Sequence, residues 1–337
     1  MKQGHVWAVV LAGGDGSRLG QLTTDARGRV VPKQYCSADG GQCLLSLAIL
    51  RARAVAAPER VCAVVVADHW KWWQPLADEI ESGNLIVQSA DRGTGNAVML
   101  AALTIMKRDP EARIVFLPSD HYAQKDSVLT LAARDAIDSV GVKSPDLVVV
   151  GITPDSPETD VSYLVPSLDD SPLSEGLESL TEPTDKRHAA ALIARGSMWN
   201  SMIVAGRAAA FVAHFIPHHP GLVARMQVLV SRCDDPSSPP LALEDLYERL
   251  PSIDLATEIL RPNVQRLRVA QAPACGWTKV STVHAVQTMV RRMHGSVTKA
   301  QTDASQTDRL RRTPDLRAAL LDGKRRSGDR QTSRARA

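Results

Sequence analysis

The sequence predicts an α/β fold in which a doubly wound sheet carries helices on both faces. Short β-branched runs alternate with longer helical patterns through the first half of the chain. These runs are continuously apolar, as parallel strands buried on both faces are. Because strands that alternate with helices wind by right-handed crossovers into one sheet, we expect ligands at the carboxyl edge of the strands.

The elements follow in order along the chain. The predicted strands are Val6–Leu11, Val61–Ala67, Leu85–Gln88, Ile114–Leu117, Leu147–Ile152 and, near the end, Val264–Ala270. The predicted helices lie at about 42–56, 69–81, 95–108, 126–140, 186–195, 207–215, 219–232, 241–250 and 283–293. Prolines make the stretch over residues 153–180 loop-rich.

Composition describes an ordinary globular chain with an unusual end. Of 337 residues, 44% are hydrophobic and 23% charged, and the five cysteines are scattered without a CxxC pair. This excludes a disulfide framework and a structural zinc site, and a reducing cytoplasm fits best. Residues 301–337 carry ten Lys or Arg against five Asp, which leaves a net charge of −2 on the first 300 residues. We therefore expect residues 296–337 to form a basic, mostly disordered tail.

No stretch of the sequence predicts a membrane span, because the longest early apolar run, at residues 6–12, is too short. The basic tail is the one feature that favours nucleic acid, and a solvated end explains it more simply.

The first strand runs directly into a loop that predicts a phosphate site. Its sequence is Leu-Ala-Gly-Gly-Asp-Gly-Ser-Arg-Leu, from Leu11 to Leu19. Three glycines allow a tight turn with exposed N–H groups, and the guanidinium of Arg18 suits phosphate oxygens. Two familiar phosphate loops are excluded, because Leu19 replaces the third glycine of GxGxxG and no Gly-Lys-Ser/Thr follows. A plain glycine turn would not explain Arg18.

Two further features stand where ligands of such a sheet gather. Lys33, in Val-Pro-Lys-Gln-Tyr, could reach the same phosphates as a point charge, although alone it would be an ordinary surface lysine. Asp120, in Leu-Pro-Ser-Asp-His, follows a predicted strand, where a carboxylate can hold Mg²⁺. Asp120 could equally begin the next helix, and we expect His121 to be structural.

Together these three segments resemble the sugar-1-phosphate nucleotidyltransferases, most closely the mannose-1-phosphate guanylyltransferase branch. That branch has LAGGxGxRL, PKQ and PSDH in this order and at similar spacing. The resemblance covers about residues 5–290, with weaker motifs at Arg92-Gly93-Thr94 and Trp199-Asn200-Ser201. It implies a Rossmann-like mixed sheet with a nucleotide half at about 1–152 and a loop-rich, helical sugar half at about 153–295, in one domain of residues 1–295.

The resemblance also implies a reaction and its residues. A sugar 1-phosphate would attack the α-phosphate of a nucleoside triphosphate, with GTP and mannose 1-phosphate favoured, Mg²⁺ as cofactor and an oligomer possible. Implied nucleotide-binding residues are Leu11, Ala12, Gly13, Gly14, Gly16, Arg92, Gly93 and Thr94. Arg18 and Lys33 would be catalytic, Asp120 would bind the metal, and Glu158 and Asn200 would bind the sugar. Lys186 could take the place of the family's sugar-binding lysine, which is Glu182 here.

Several positions depart from the family pattern. The family's Glu-Lys-Pro reads Thr181-Glu182-Pro183, its metal-binding Asp after Gly-Trp-Ser is Lys279, and the glycine after Trp-Asn-Ser is Met202. Lys279 cannot coordinate a metal but could donate to phosphate oxygens. These departures leave a second hypothesis open, in which the chain is a nucleotide-binding relative with little catalysis that serves as a regulatory subunit.

Overall fold

A computed structural model describes residues 3–25, 27–81, 83–141, 144–167, 176–238, 241–294 and 314–320. The strands are β1 (Val6–Leu11), β2 (Val61–Val66), β3 (Leu85–Gln88), β4 (Arg113–Pro118), β5 (His121–Ala123), β6 (Leu147–Ile152), β7 (Tyr163–Pro166), β8 (Leu177–Thr181), β9 (Met198–Arg207), β10 (Leu267–Ala272) and β11 (Trp277–Lys279). The α-helices are α1 (Gly20–Thr23), α2 (Leu44–Arg53), α3 (Trp70–Trp73), α4 (Gly93–Arg108), α5 (Asp126–Asp138), α6 (Lys186–Ala194), α7 (Ala208–Phe215), α8 (Pro220–Ser231), α9 (Leu241–Arg249) and α10 (Val283–His294).

The predicted α/β class is confirmed by one large central sheet. Its order is β10-β6-β9-β4-β1-β2-β3, and β7 and β8 extend from β9. β1 pairs in parallel with both β2 and β4, and β2 with β3, whereas β9 runs antiparallel between β4 and β6. The carboxyl ends of β1 and β4 therefore lie side by side, with Leu11 opposite Pro118.

Both faces of this sheet are buried, because side chains of β1 alternate between two apolar clusters. Val6, Ala8 and Val10 join the cluster that includes α2 and α5. Trp7 and Val9 face the other cluster, which includes α4, α7 and α8. This double coverage explains why the strands read as continuous apolar runs rather than as alternating ones.

The stretch over 153–180, predicted to be loop-rich, also contains two short strands. β7 and β8 form a hairpin there, and Tyr163 of β7 pairs with Trp199 of β9. Both strands are short, and β7 also pairs with β9, which is distant in sequence, so a local pattern does not reveal that pairing. The predicted helix over 69–81 is also divided, since a 3₁₀ segment at Gln74–Glu79 that carries Pro75 follows α3.

Within the predicted, mostly disordered tail, residues 314–320 pack against the rest of the chain. The backbone N–H of Ser37 donates to the carbonyl of Pro314 at 2.9 Å, and the N–H of Leu316 to the carbonyl of Ser37 at 3.0 Å. Leu316 and Leu320 are buried in the cluster that faces α2. They lie four residues apart on one turn of helix, so both reach the same surface. The rest of the predicted tail lies outside the described residues.

Among the described residues, no helix combines the length and the apolar character that crossing a membrane requires.

Candidate active site

The glycine loop leaves β1 at the carboxyl edge of the sheet, and its shape is held by the segment that contains Lys33. Gly16 has a φ of +66°, and a Cβ there would lie 2.9 Å from the backbone nitrogen of Lys33. The Nε2 of Gln34 donates to the carbonyls of Ala12 at 2.9 Å and Gly14 at 2.8 Å. These contacts bring the first two predicted motifs together. Sequence reasoning missed the role of Gln34, although it stands next to Lys33 in the motif.

The third motif, which contains Asp120, lies next to the glycine loop and Lys33. The Nζ of Lys33 donates to the Oδ2 of Asp120 at 2.7 Å, and the two side chains are only 16% and 17% exposed. The hydroxyl of Ser119 donates to the carbonyl of Leu11 at 2.6 Å, which ties the ends of β1 and β4. The structure therefore joins Asp120, Lys33 and the glycine loop at one edge of the sheet, as predicted.

The charges around Asp120 are mostly positive. Burial by itself would raise the pKa of the Asp120 carboxyl, but the ammonium groups of Lys33 and Lys279 hold it well below its usual range. Burial also lowers the pKa of His121 to about 3, despite the adjacent carboxylate. At neutral pH, His121 is therefore an uncharged neighbour, in agreement with the structural role predicted for it.

Arg18 lies in the loop with its side chain exposed. Within the described part of the chain its guanidinium makes no hydrogen bond or ion pair, so its donors are free for a ligand. By contrast, the Oδ1 of Asp15 accepts from the backbone N–H of Ser17 at 3.1 Å and shapes the loop. Binding of phosphate by Arg18 stays a prediction.

The segment Arg92–Thr94 is fastened to the chain around Ile253. The Nε of Arg92 donates to the carbonyl of Tyr247 at 2.7 Å. The hydroxyl of Thr94 accepts from the N–H of Leu255 at 3.0 Å. Gly93 has a φ of +82°, and a Cβ there would lie 2.4 Å from the carbonyl oxygen of Ile253. These contacts give the segment a structural role, and its predicted nucleotide binding stays a prediction.

Asn200 lies at the same edge of the sheet in the predicted sugar half. It pairs with Gly151 at the end of β6, and its Nδ2 donates to the hydroxyl of Ser162 at 3.2 Å. Its Oδ1 accepts from the N–H of Met202 at 2.9 Å, where Met202 has a φ of +56°. Asn200 is buried, so its amide is held in place before any ligand arrives.

The other two predicted sugar-binding residues are less enclosed. The Oε1 of Glu158 accepts from the hydroxyl of Ser156 at 3.1 Å, and its Oε2 lies 3.6 Å from the Nε2 of His284. Lys186 is exposed at the first residue of α6. No contact joins Lys186 to Asp120 or Lys33 in the described residues. Sugar binding by both residues stays a prediction.

The structure adds Lys279 to the site. In the two-stranded sheet of β5 and β11, Lys279 pairs with His121, and the N–H of Val280 donates to the carbonyl of Asp120 at 2.8 Å. The backbone thus holds Lys279 beside Asp120. A sequence pattern could show that Lys279 departs from the family, whereas its neighbours follow from the pairing of β5 with β11.

These residues do not fit a magnesium ion held by the protein. The carboxylate of Asp120 is already paired with the ammonium of Lys33. No group of three His, Cys, Asp or Glu side chains that could hold a metal exists in the part of the chain that the structure describes. Since Mg²⁺ requires several oxygen ligands and two ammonium groups would repel it, Asp120 is a poor ligand here.

Comparison with known proteins finds relatives of similar sequence. Mannose-1-phosphate guanylyltransferase of Escherichia coli K12 is 28% identical over 248 residues, which cover 69% of this chain and 49% of the relative. Alginate biosynthesis protein AlgA of Pseudomonas fluorescens is 26% identical over 304 residues, which cover 86% of this chain and 60% of the relative. This chain spans about half the length of the curated relatives it matches.

Fold and family are supported separately. A solved structure from Thermus thermophilus, described as a mannose-1-phosphate geranyltransferase, has a TM-score of 0.71 at 24% identity and covers 85% of this chain and 79% of its own. That similarity supports the fold alone. The model of the nucleotidyl transferase family matches residues 7–216, more than half of the chain. The chain therefore belongs to the nucleotidyl transferase family, as its three N-terminal motifs predict.

Proposed function

We propose that this chain transfers a nucleotidyl group from a nucleoside triphosphate to a sugar 1-phosphate, with GTP and mannose 1-phosphate as the favoured pair. The observation that carries the proposal is the contact of Lys33 with both Asp120 and the glycine loop. The names of the curated relatives support the choice of substrates.

In the proposed reaction, an oxygen of the sugar phosphate attacks the α-phosphorus of the triphosphate. A new P–O bond forms, the bond between the α-phosphorus and its bridging oxygen breaks, and pyrophosphate leaves with that electron pair. The chain performs no covalent step itself, so its task is to position both reactants and to neutralise charge.

The charge on the phosphates is balanced by groups at the loop. The backbone around Gly13 and Gly14 lies at the edge of the sheet, and Arg18 adds a guanidinium without a competing partner in the described residues. Lys33 is fixed by Asp120, which keeps its ammonium in one place. Donors that are already oriented stabilise developing charge without reorganisation, which is the largest contribution in many enzymes.

The test is pyrophosphate release, measured over a panel of nucleoside triphosphates and sugar 1-phosphates. We expect turnover with one pair, strongest for GTP and mannose 1-phosphate. Arg18→Ala should lower kcat/KM about a hundredfold or more, as the loss of an oriented charge donor does. Arg225→Ala, which removes an exposed guanidinium on α8, is the matched control and should behave as the wild type.

Two outcomes would contradict the proposal. Turnover that is unchanged in Arg18→Ala would show that the loop does not serve the reaction. Saturable GTP binding without turnover for any pair would favour the regulatory, nucleotide-binding alternative.

A further inference from the structure

Asp120 lies near two lysines at the carboxyl edge of β4. Its Oδ2 accepts from the Nζ of Lys33 at 2.7 Å. Its backbone carbonyl accepts from the N–H of Val280 at 2.8 Å, which holds Lys279 of β11 next to it. The backbone pairing of β5 with β11 therefore sets the position of Lys279.

The cluster of Lys33, Asp120 and Lys279 is positively charged overall. It contains two ammonium groups and one carboxylate. Lys33 and Asp120 neutralise one another, so the charge of Lys279 is left over. A divalent cation would meet net repulsion here, whereas an anion would be attracted.

The shape of the surroundings indicates which anion would bind. The glycine loop lies against Lys33, since a Cβ on Gly16 would be 3.1 Å from its Cγ. The same loop also carries backbone N–H groups and the exposed side chain of Arg18. An elongated polyphosphate can contact all of these groups at once, and a single small anion cannot.

We propose that Lys33 and Lys279 bind the polyphosphate of the nucleotide directly, with the ammonium of Lys279 in the role that a protein-held divalent cation would otherwise play. Polyphosphate therefore binds to this chain without a metal ion. The identification of the ligand as a nucleotide's polyphosphate rests on the proposed function, but the binding of inorganic pyrophosphate does not.

Titration calorimetry of inorganic pyrophosphate into the full chain tests the proposal, first in EDTA and then with Mg²⁺. We expect the wild type to bind in EDTA, and Lys279→Met to bind at least tenfold more weakly. Lys279→Arg, which keeps the charge, should stay within about threefold of the wild type. Lys107→Met is the matched control, because Lys107 lies at the end of α4, at the opposite edge of the sheet, and should change nothing.

Binding by the wild type only when Mg²⁺ is present would overturn the proposal, as would equal binding by Lys279→Met in EDTA. A measurement on the wild type alone guards against misfolded variants. We expect its electron paramagnetic resonance spectrum to show no tight Mn²⁺ binding without nucleotide, and tight binding would overturn the proposal. If pyrophosphate binds as expected but no substrate pair turns over, the proposed function fails and this inference stands.

Discussion

At the scale of single residues, the site depends on a carboxylate that is kept charged. Asp120 has a lowered pKa in the folded protein, because nearby ammonium groups outweigh its burial. The unfolded chain has an ordinary pKa of about 4 at this position. The folded state therefore gains stability from the ionised carboxyl above pH 4, and loses it as the pH falls further, because the unfolded chain then binds the proton first.

Replacing Asp120 by Asn should expose this dependence. At pH 7 we expect the free energy of unfolding to fall by about 1–3 kcal/mol, because Lys33 loses its charged partner. Below pH 4, urea denaturation should give a flatter change with pH than in the wild type. Asp138→Asn removes an exposed carboxylate at the end of α5 and should keep the wild-type slope. If the free energy of unfolding changed with pH equally in Asp120→Asn and the wild type, the ionised carboxyl of Asp120 would not contribute to stability.

At the scale of elements, the glycine loop and the Lys33 segment form one unit. The loop approaches Lys33 so closely that only glycine fits at position 16, and Gln34 fixes the carbonyls on either side of Gly13. Each segment could be recognised from its own sequence motif. The contact between them is visible only in the folded chain.

Gly16→Ala should therefore damage both the loop and the site. We expect a loss of about 1–2 kcal/mol for the left-handed backbone alone, with a further loss from displacement of Lys33. Gly14→Ala is the stability control, because a Cβ there meets nothing within 4 Å and its φ is not positive. That variant should unfold within about 0.5 kcal/mol of the wild type. Equal urea midpoints for the two variants would contradict this account of the loop.

At the scale of the whole molecule, a distant piece of chain completes the core. Residues 314–320 pack their leucines against the cluster around α2 and pair with Ser37, four residues after Lys33. Because the surrounding sequence is basic and polar, this turn of helix was not predicted. The spacing of Leu316 and Leu320 was the signal that could have revealed it.

Leu316→Ala should lower the free energy of unfolding by about 2 kcal/mol, the lower end for a buried leucine, because a short segment can detach instead of leaving a cavity. Ala318→Ser, at an exposed position of the same turn, is the control and should be nearly neutral. Thermal unfolding of both variants, monitored by circular dichroism, measures the difference. No loss in Leu316→Ala would mean that the segment does not hold the fold in solution.

The sequence by itself determined five strands of the first half, β1, β2, β3, β4 and β6, to within one residue. β1, β3 and β6 have their predicted bounds, because strands buried on both faces must be continuously apolar. It also determined the family and the three motifs at the edge of the sheet, since glycine, lysine and aspartate stand there at characteristic spacing. Both the strand bounds and the motifs depend on neighbouring residues, so the local sequence was sufficient to predict them.

Only the tertiary structure decided what those motifs touch. Three features depend on partners far away along the chain: the pairing of Lys33 with Asp120, the place of Lys279 beside them, and the pairing of β9 with β4, β6 and β7. The charge of the site changes with that arrangement, because Lys279 adds a cation beside a carboxylate that the sequence alone suggested for magnesium. Pairing between distant strands brings such side chains together, and no local pattern of residues encodes the distance between them.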